Sequence, residues 1–327
     1  MIEQTYYYIQ QGTEPSQNLA LERYLLETVP EHTCILYLWQ NQHTVVIGRN
    51  QNCWQECKLQ QLADDGGVMV RRLSGGGAVY HDLGNLNFTF FVGKEDYDVD
   101  KQLDVILQAL QQLGIQAEKS GRNDLTANGR KFSGNAFYES GNRCYHHGTL
   151  MVQVDREMLG KYLQVSASKL ASKGVSSVQS RVVNLAELKE GLTIAQLQQA
   201  LVDAMQLVYG KQAQPYPEQW LDQKQIAAYQ AEFISDAWRF GQRLPFTWET
   251  EHRFGWGNFH LQCAANYGKI EQAVIYSDAM DATLIGKMAE QLQGCAFSSK
   301  AMAERLQQLE ERTEVQDVCQ YLLELNI

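Results

Sequence analysis

The sequence predicts an α+β protein, with a large sheet-and-helix domain followed by a smaller α+β unit. Three observations carry that expectation. Segments rich in aromatic and β-branched residues recur between positions 6 and 152, and amphipathic helical patterns occupy 99–113 and 194–208. A second compact set of strands and helices begins after Pro245. At 327 residues the chain is also near the size at which a single core stops growing.

A Tyr-rich strand at 6–9 precedes a helix whose expected N-cap is Ser16, with Leu19, Arg23, Leu25, Leu26 and Val29 on one stripe and Pro30 ending it. Segments 34–39 and 44–47 read as strands joined by a turn at 40–43, and further strands follow at 68–72, 78–80, 86–92, 124–127, 130–137 and 145–152. In the helix at 99–113 the buried stripe is Leu103, Ile106, Leu107 and Leu110; at 194–208 it is Leu197, Leu201, Met205 and Val208. Pro215 and Pro217 break the chain, and a helical stretch then ends in the aromatic cluster 238–240. The domain boundary is placed near 243–245, giving domains of 1–244 and 245–327. The second holds strands at 246–254, 258–264 and 270–276 and helices at 281–293 and 299–325, the last broken near Thr313.

With 28 Lys+Arg against 38 Asp+Glu the net charge is −10, which argues against broad coating of nucleic acid or anionic membrane. An anion must therefore be held in a local basic site. No apolar run approaches the ~18 residues of a membrane span, and residues 1–11 lack the basic and apolar parts of an export signal, so a cytoplasmic protein is expected. Seven scattered cysteines suit reduced thiols better than a disulfide framework, and Cys53 with Cys57 reads as two thiols near one helix face rather than a zinc site.

The densest signal runs from Arg71 and Arg72 through Ser74, Gly75, Gly76, Gly77, Ala78, Val79 and Tyr80 to His81 and Asp82. Consecutive glycines lose much freedom on folding, so they belong where backbone comes very close to another group or adopts φ > 0. No Gly-Lys-Ser/Thr ending follows and the chain continues as strand, which excludes the common phosphate loops that open a helix. Successive N–H groups in such a loop still form a concave anion nest. Arg71 and Arg72 alternate faces, so one of them can reach a pocket there, and Arg49 is a candidate second cation. The plain alternative is a tight corner with solvated arginines. His81 and Asp82 are a candidate imidazole–carboxylate pair.

Asn128-Gly129 between alternating runs signals a two-residue hairpin turn, pairing Thr126 with Lys131 and Asp124 with Ser133. Period two then sets Asp124, Thr126, Lys131 and Ser133 on one face and Leu125 with Phe132 on the other. An ammonium and a carboxylate placed so suit nucleotide chemistry: Asp124 for Mg²⁺, Lys131 for phosphate or acyl charge. The competing reading is a solvated ion pair worth well under ~1 kcal/mol. His146 and His147 alternate to opposite faces, so they do not chelate one ion; one buried, hydrogen-bonded histidine lining a pocket is the better reading.

Together these residues resemble the lipoate–protein ligase family. Its hallmarks occur in order: Asn18-Leu19-Ala20-Leu21-Glu22, the run from Thr44 to Asn52, Arg71-Arg72 with the glycine loop, Gly121 to Leu125, Arg130-Lys131 with Ser133-Gly134, His146 to Leu150, and Ser177 to Val182. The resemblance implies a fold similar to biotin ligases and class II synthetase cores, a mixed sheet flanked by helices, with a small C-terminal domain. It implies ATP-dependent activation of lipoate to lipoyl-AMP, then transfer to a lysine of lipoyl domains such as those of 2-oxoacid dehydrogenase E2 subunits or the glycine cleavage H protein. On this chain it assigns ATP binding to Arg72, Gly77, Ala78, Val79, Tyr80 and Lys131, and lipoate binding to Arg72, Gly75, Gly76, His81, Lys131 and His147. The resemblance also makes Lys131 the expected catalytic residue, and Asn123 and Asp124 match the region expected to support Mg²⁺.

Three other readings compete. An octanoyl or lipoyl transferase of the same fold would use a cysteine nucleophile, and Cys144 is the thiol nearest the motifs. A biotin ligase is disfavoured by the different glycine loop. A non-catalytic lipoate or nucleotide sensor is opposed by retention of Lys131 together with the Arg72 loop.

Overall fold

The computed structural model describes residues 1–121, 123–164, 182–241 and 244–327. Arg122, the 177–181 motif and the boundary residue Arg243 lie outside them. The chain begins with β1 (Gln4–Ile9), α1 (Pro15–Thr28), β2 (Thr33–Trp39), β3 (Thr44–Ile47), α2 (Cys53–Glu56), α3 (Leu59–Asp64), β4 (Val68–Arg71), β5 (Val79–His81) and β6 (Asn85–Gly93). Next come α4 (Val99–Gln112), β7 (Glu118–Ser120), β8 (Asp124–Ala127), β9 (Arg130–Ser140), β10 (Arg143–Met151) and α5 (Arg156–Tyr162). After 182 follow α6 (Ile194–Tyr209), β11 (Ala213–Pro215), α7 (Gln223–Ile234) and α8 (Asp236–Phe240). The C-terminal unit holds β12 (Trp248–Phe254), β13 (Gly257–Asn266), β14 (Lys269–Tyr276), α9 (Ala282–Leu292), α10 (Ser299–Leu306) and α11 (Thr313–Leu325).

The large sheet has the order β11-β1-β2-β6-β10-β9-β8-β7, with β1 parallel to both its neighbours and the other pairs antiparallel. Helices cover both faces, which is why every residue of β2 is buried. Alternation sends Leu36 and Leu38 into a core with Ile106, Leu110, Leu201 and Met205. Ile35, Tyr37 and Trp39 enter the opposite core with Leu25, Leu26 and Phe233. On α4 the buried stripe is Val105, Ile106, Ala109 and Leu110, one step round from the expected one; Leu103 and Leu107 sit at its edge.

A second sheet, β4-β3-β5, carries the glycine loop between β4 and β5. Residues 40–43 therefore pass the chain from one sheet to the other and close no hairpin. The C-terminal unit is an antiparallel β12-β13-β14 sheet whose core joins Phe259 and Leu261 to Ile285, Met288, Val318 and Leu322. All seven cysteines are free and buried, and no helix among the described residues is long and apolar enough to cross a membrane.

Two further local expectations are corrected. The N-cap of α1 is Glu14, not Ser16: its carboxylate accepts from the backbone of Ser16 (3.1 Å) and Gln17 (2.6 Å). Pro15, with a fixed φ and no N–H, suits the first helical position and starts the helix earlier. The 128–129 turn forms with both φ positive, and Thr126 opposes Lys131, but then the register shifts. Leu125 opposes Ser133, and Asp124 opposes Gly134 instead of Ser133. Phe132 is the extra residue of a β-bulge, and the added twist lets it and Leu125 both bury completely in one core. Phe132→Ala is expected to cost about 3–5 kcal/mol of stability, read as a lowered urea midpoint. A midpoint unchanged in the variant would show that the bulge does not serve the core.

Candidate active site

A pocket of about 190 Å³ is lined from both sheets and from α1: Leu19, Trp39, Val46, Arg72, Gly76, Gly77, Ala78, Val79, His81, Asn87, Asn123, Lys131, Gly134, Asn135, Ala136, His147, Gly148 and Thr149. Of the two adjacent arginines, Arg72 is the one that reaches it. Its guanidinium donates to Gly75 O (2.6 Å), Gly77 O (2.8 Å) and Val46 O (3.2 Å), and its Nε donates to Ser74 Oγ (3.0 Å). Burial lowers its pKa to about 10, still leaving the cation intact at neutral pH. Arg71 points the other way and ties together the carbonyls of Gly48, Arg49, Gln51, Trp238 and Arg239. Arg49 does not line the pocket; it stacks over Trp238 at 4.1 Å.

The glycines differ in their constraints. A Cβ at Gly75 would fall 2.2 Å from Ala279 O and 2.5 Å from Met280 O, so the loop lies against the C-terminal unit there. Gly76 has φ +86°, and its N–H donates to Ala279 O at 3.1 Å. Gly75 itself is outside the pocket lining, and the Tyr80 ring packs against Tyr162 rather than facing the pocket. His81 and Asp82 form no pair: His81 meets Asn41, while Asp82 accepts from the backbone of Gly84 and Asp155.

Beneath the loop runs a chain the sequence reading did not find. Ser74 Oγ lies 2.8 Å from His147 Nε2, and His147 Nδ1 lies 2.8 Å from Glu22 Oε1, which also accepts from Thr89 (2.8 Å). The order Ser–His–Glu matches a hydrolytic triad, but Ser74 is fully buried and already accepts from Arg72. The chain is a tether from α1 to the glycine loop. A glutamate between Leu19 and Leu25 on the apolar side of a helix was the available signal.

On the other side, Lys131 Nζ pairs with Asp124 Oδ1 at 2.6 Å, both side chains about two-fifths exposed. The lysine lies across Gly134, where a Cβ would be only 3.1 Å from Nζ. Asn123 and Asn135 exchange hydrogen bonds: Asn123 Nδ2 donates to Asn135 O (2.9 Å), and Asn135 N donates to Asn123 O (2.8 Å). Asn135 Oδ1 in turn meets His146 Nε2 at 2.9 Å. His146 thus faces the α4 core and His147 the pocket, as alternation requires.

The overall fold is that of lipoate ligases. A crystal structure of P. falciparum LipL1 in complex with lipoate superposes with TM-score 0.87, at 27% identity, covering 98% of this chain and 99% of that one. A structure from an analysis of an archaeal lipoylation system, described as a bi-partite lipoate protein ligase and its E2 lipoyl domain from Thermoplasma acidophilum, gives 0.63 at 22% identity over 76% of this chain and all of that one. In sequence, the Lipoyl protein ligase A/B catalytic domain model matches residues 14–206 and the Bacterial lipoate protein ligase C-terminus model matches 244–322. Lipoate-protein ligase A of Psychrobacter cryohalolentis is 37% identical over 95% of this chain and 96% of its own. The chain belongs to the lipoate–protein ligase family and is an enzyme of that family.

Burial holds His81 and His146 neutral, with pKa values lowered to about 3; nearby Arg72 and His147 add to the effect at His81, and His147 adds at His146. The unfolded value is about 6.5, so on acidification the unfolded chain takes up protons first. The stability this neutrality contributes is complete above pH ~6.5 and drains away as pH falls towards 3. The urea midpoint should therefore decline below pH ~6.5, and His146→Gln should remove about one proton from that slope. An unchanged slope would contradict the neutral assignment.

Proposed function

We propose that the chain activates lipoate with ATP, releasing pyrophosphate, and passes the acyl group of lipoyl-AMP to a lysine of a lipoyl domain. The observation that carries this reading is Lys131: an ammonium held by one part-exposed carboxylate lines the same pocket as the glycine loop. Attack of a carboxylate on the α-phosphorus brings two anions together, so a cation and aimed N–H dipoles are the main requirement. Lys131 supplies the cation in both half-reactions. Gly77, Ala78, Val79 and Tyr80 offer backbone to the nucleotide, while Arg72 shapes their loop and adds positive potential. The acyl chain runs past Gly76, His81 and His147, with Gly75 setting the loop against its neighbours. Likeness to a lipoate-bound protein at 27% identity supports the acyl substrate.

Mg²⁺ fits this site in one form. The described residues hold no group of three metal-type side chains, so Asp124, with Asn123 beside it, would be the protein's ligand and ATP phosphates would complete the shell. The ion would neutralise phosphate charge. We assign catalysis to residues 1–244 and an accessory role to 245–327, in keeping with the separate core of the latter and the two family-model spans. Lipoyl domains of E2 subunits and the glycine cleavage H protein are the proposed acceptors, in the cytoplasm.

A cysteine transferase is not favoured: Cys144 is fully buried, and burial lifts its pKa to about 11. Lys131→Ala should keep the fold and lose about 3–4 kcal/mol of transition-state stabilisation in lipoate-dependent pyrophosphate release. Undiminished release would refute the assignment. Cys144→Ala should still lipoylate a purified lipoyl domain with ATP, seen as the lipoyl mass increment; loss of transfer in a folded variant would revive the thiol route.

A further inference from the structure

His146 lies on the face of β10 turned away from the pocket, its ring boxed by those of Phe88, Phe90 and Phe137 at 5.3, 6.1 and 5.0 Å. It is fully buried and absent from the pocket wall, yet both its nitrogens are engaged. Asn123 O is a backbone carbonyl and only accepts, so the Asn135 atom that meets it at 2.9 Å is Nδ2, and the one facing His146 Nε2 at 2.9 Å is Oδ1. His146 Nε2 therefore donates. A neutral imidazole then accepts at Nδ1, so the Gln102 amide 3.1 Å away on α4 must present its N–H₂ there. That pairing also engages a Gln102 nitrogen that is otherwise buried without a partner. The result is a one-way chain of donors, Gln102 to His146 to Asn135 to Asn123, leading from α4 through the sheet to the pocket wall.

Gly148 makes room for it. This residue opposes Asn135 on the neighbouring strand, and a Cβ there would fall 2.7 Å from Asn135 Oδ1 and 2.8 Å from Gly134 O. At the other end Asn135 clamps Asn123 through three hydrogen bonds. Its N and Nδ2 donate to Asn123 O (2.8 and 2.9 Å), and Asn123 Nδ2 donates to Asn135 O (2.9 Å). The clamp stands where β8 has least other support: past the Phe132 bulge Asp124 faces Gly134, and the outer neighbour β7 is three exposed residues. Asp124, next in the chain to Asn123, is the group that holds Lys131 Nζ at 2.6 Å.

We propose that His146, with Gln102 behind it, is a positioning residue for Lys131: it orients Asn135, Asn135 fixes Asn123, and the end of β8 so fixed sets where Asp124 holds the ammonium. The inference rests on the ligase reading above. The chain governs the placement of a cation that counts in the transition state, so its loss lowers kcat and leaves lipoate binding nearly untouched.

The test is ATP-dependent pyrophosphate release by the full chain, with kcat expressed per folded molecule from circular dichroism. His146→Leu, close in size but without a donor, should lower kcat about tenfold or more with KM for lipoate within about twofold. His146→Gln, whose amide can still donate to Asn135 Oδ1, should recover most of that loss. Gln102→Leu should act in the same direction by a smaller factor, because it frees the tautomer without removing the ring, and it decides the matter should His146→Leu not fold. In a Lys131→Ala background His146→Leu should change the residual rate by less than about twofold, the sign that the two residues act as one unit. Undiminished kcat in folded His146→Leu or Gln102→Leu overturns the proposal, as does an equal loss with and without Lys131, or one shared equally by His146→Gln. Each of these leaves the ligase reading standing, whereas no lipoate-dependent release by the unmodified chain sinks that reading and the proposal with it.

Discussion

The site is organised around one buried cation. Arg72 cannot be desolvated unless its donors are paired, and the partners it finds are the carbonyls of Val46, Gly75 and Gly77 and the hydroxyl of Ser74. Those four groups belong to β3 and to the loop itself, so satisfying the arginine curls the glycine loop back over the small sheet. Glu22 supplies the compensating charge from α1 through His147 and Ser74. Remove the arginine and the loop carbonyls lose their donors; remove Glu22 and a buried cation loses its counter-charge.

The same requirement explains why three glycines stand together although each answers to a different neighbour. Gly75 has no room for a Cβ against Ala279 and Met280, and Gly76 needs a positive φ. Only then can Gly76 N donate to Ala279 O while Arg72 takes the carbonyls on either side. The C-terminal unit is thereby in register with the loop: Asn50 accepts from Ser277 N and donates to Ala282 O on the two sides of this contact.

What was legible in the sequence was local. The Asn128-Gly129 turn placed Lys131 because both turn residues need φ > 0, and the alternation of β10 separated His146 from His147 without any knowledge of the sheet. The glycine loop was recognisable as a close approach, but not what it approaches, since Ala279 is some two hundred residues away in the chain. The Phe132 bulge was hidden because strict alternation already gave Leu125 and Phe132 a common face; only the sheet's twist decides that an extra residue is accommodated. Glu22 was hidden by context: a carboxylate inside an apolar stripe is explained only by His147 and Thr89, which arrive from two distant strands. Arg49 was over-read for the converse reason, because a cation beside a motif can as well stack on an aromatic ring such as Trp238.

The two cations that do line the pocket differ in what they are free to do. Arg72 is buried, and its donors are taken up by groups that cannot follow it; moving it would strand several carbonyls at once. Lys131 is held by one part-exposed carboxylate on a hairpin, a pairing worth about 0–1 kcal/mol. Its three donors and flexible stem allow it to exchange Asp124 for a developing anion at little energetic cost. A fixed positive potential from below and an exchangeable cation at the rim are what a site needs if the charge it stabilises changes position between two steps. The hairpin suits that division: its bulge fixes the strand through Phe132 in the core while leaving the lysine end solvated.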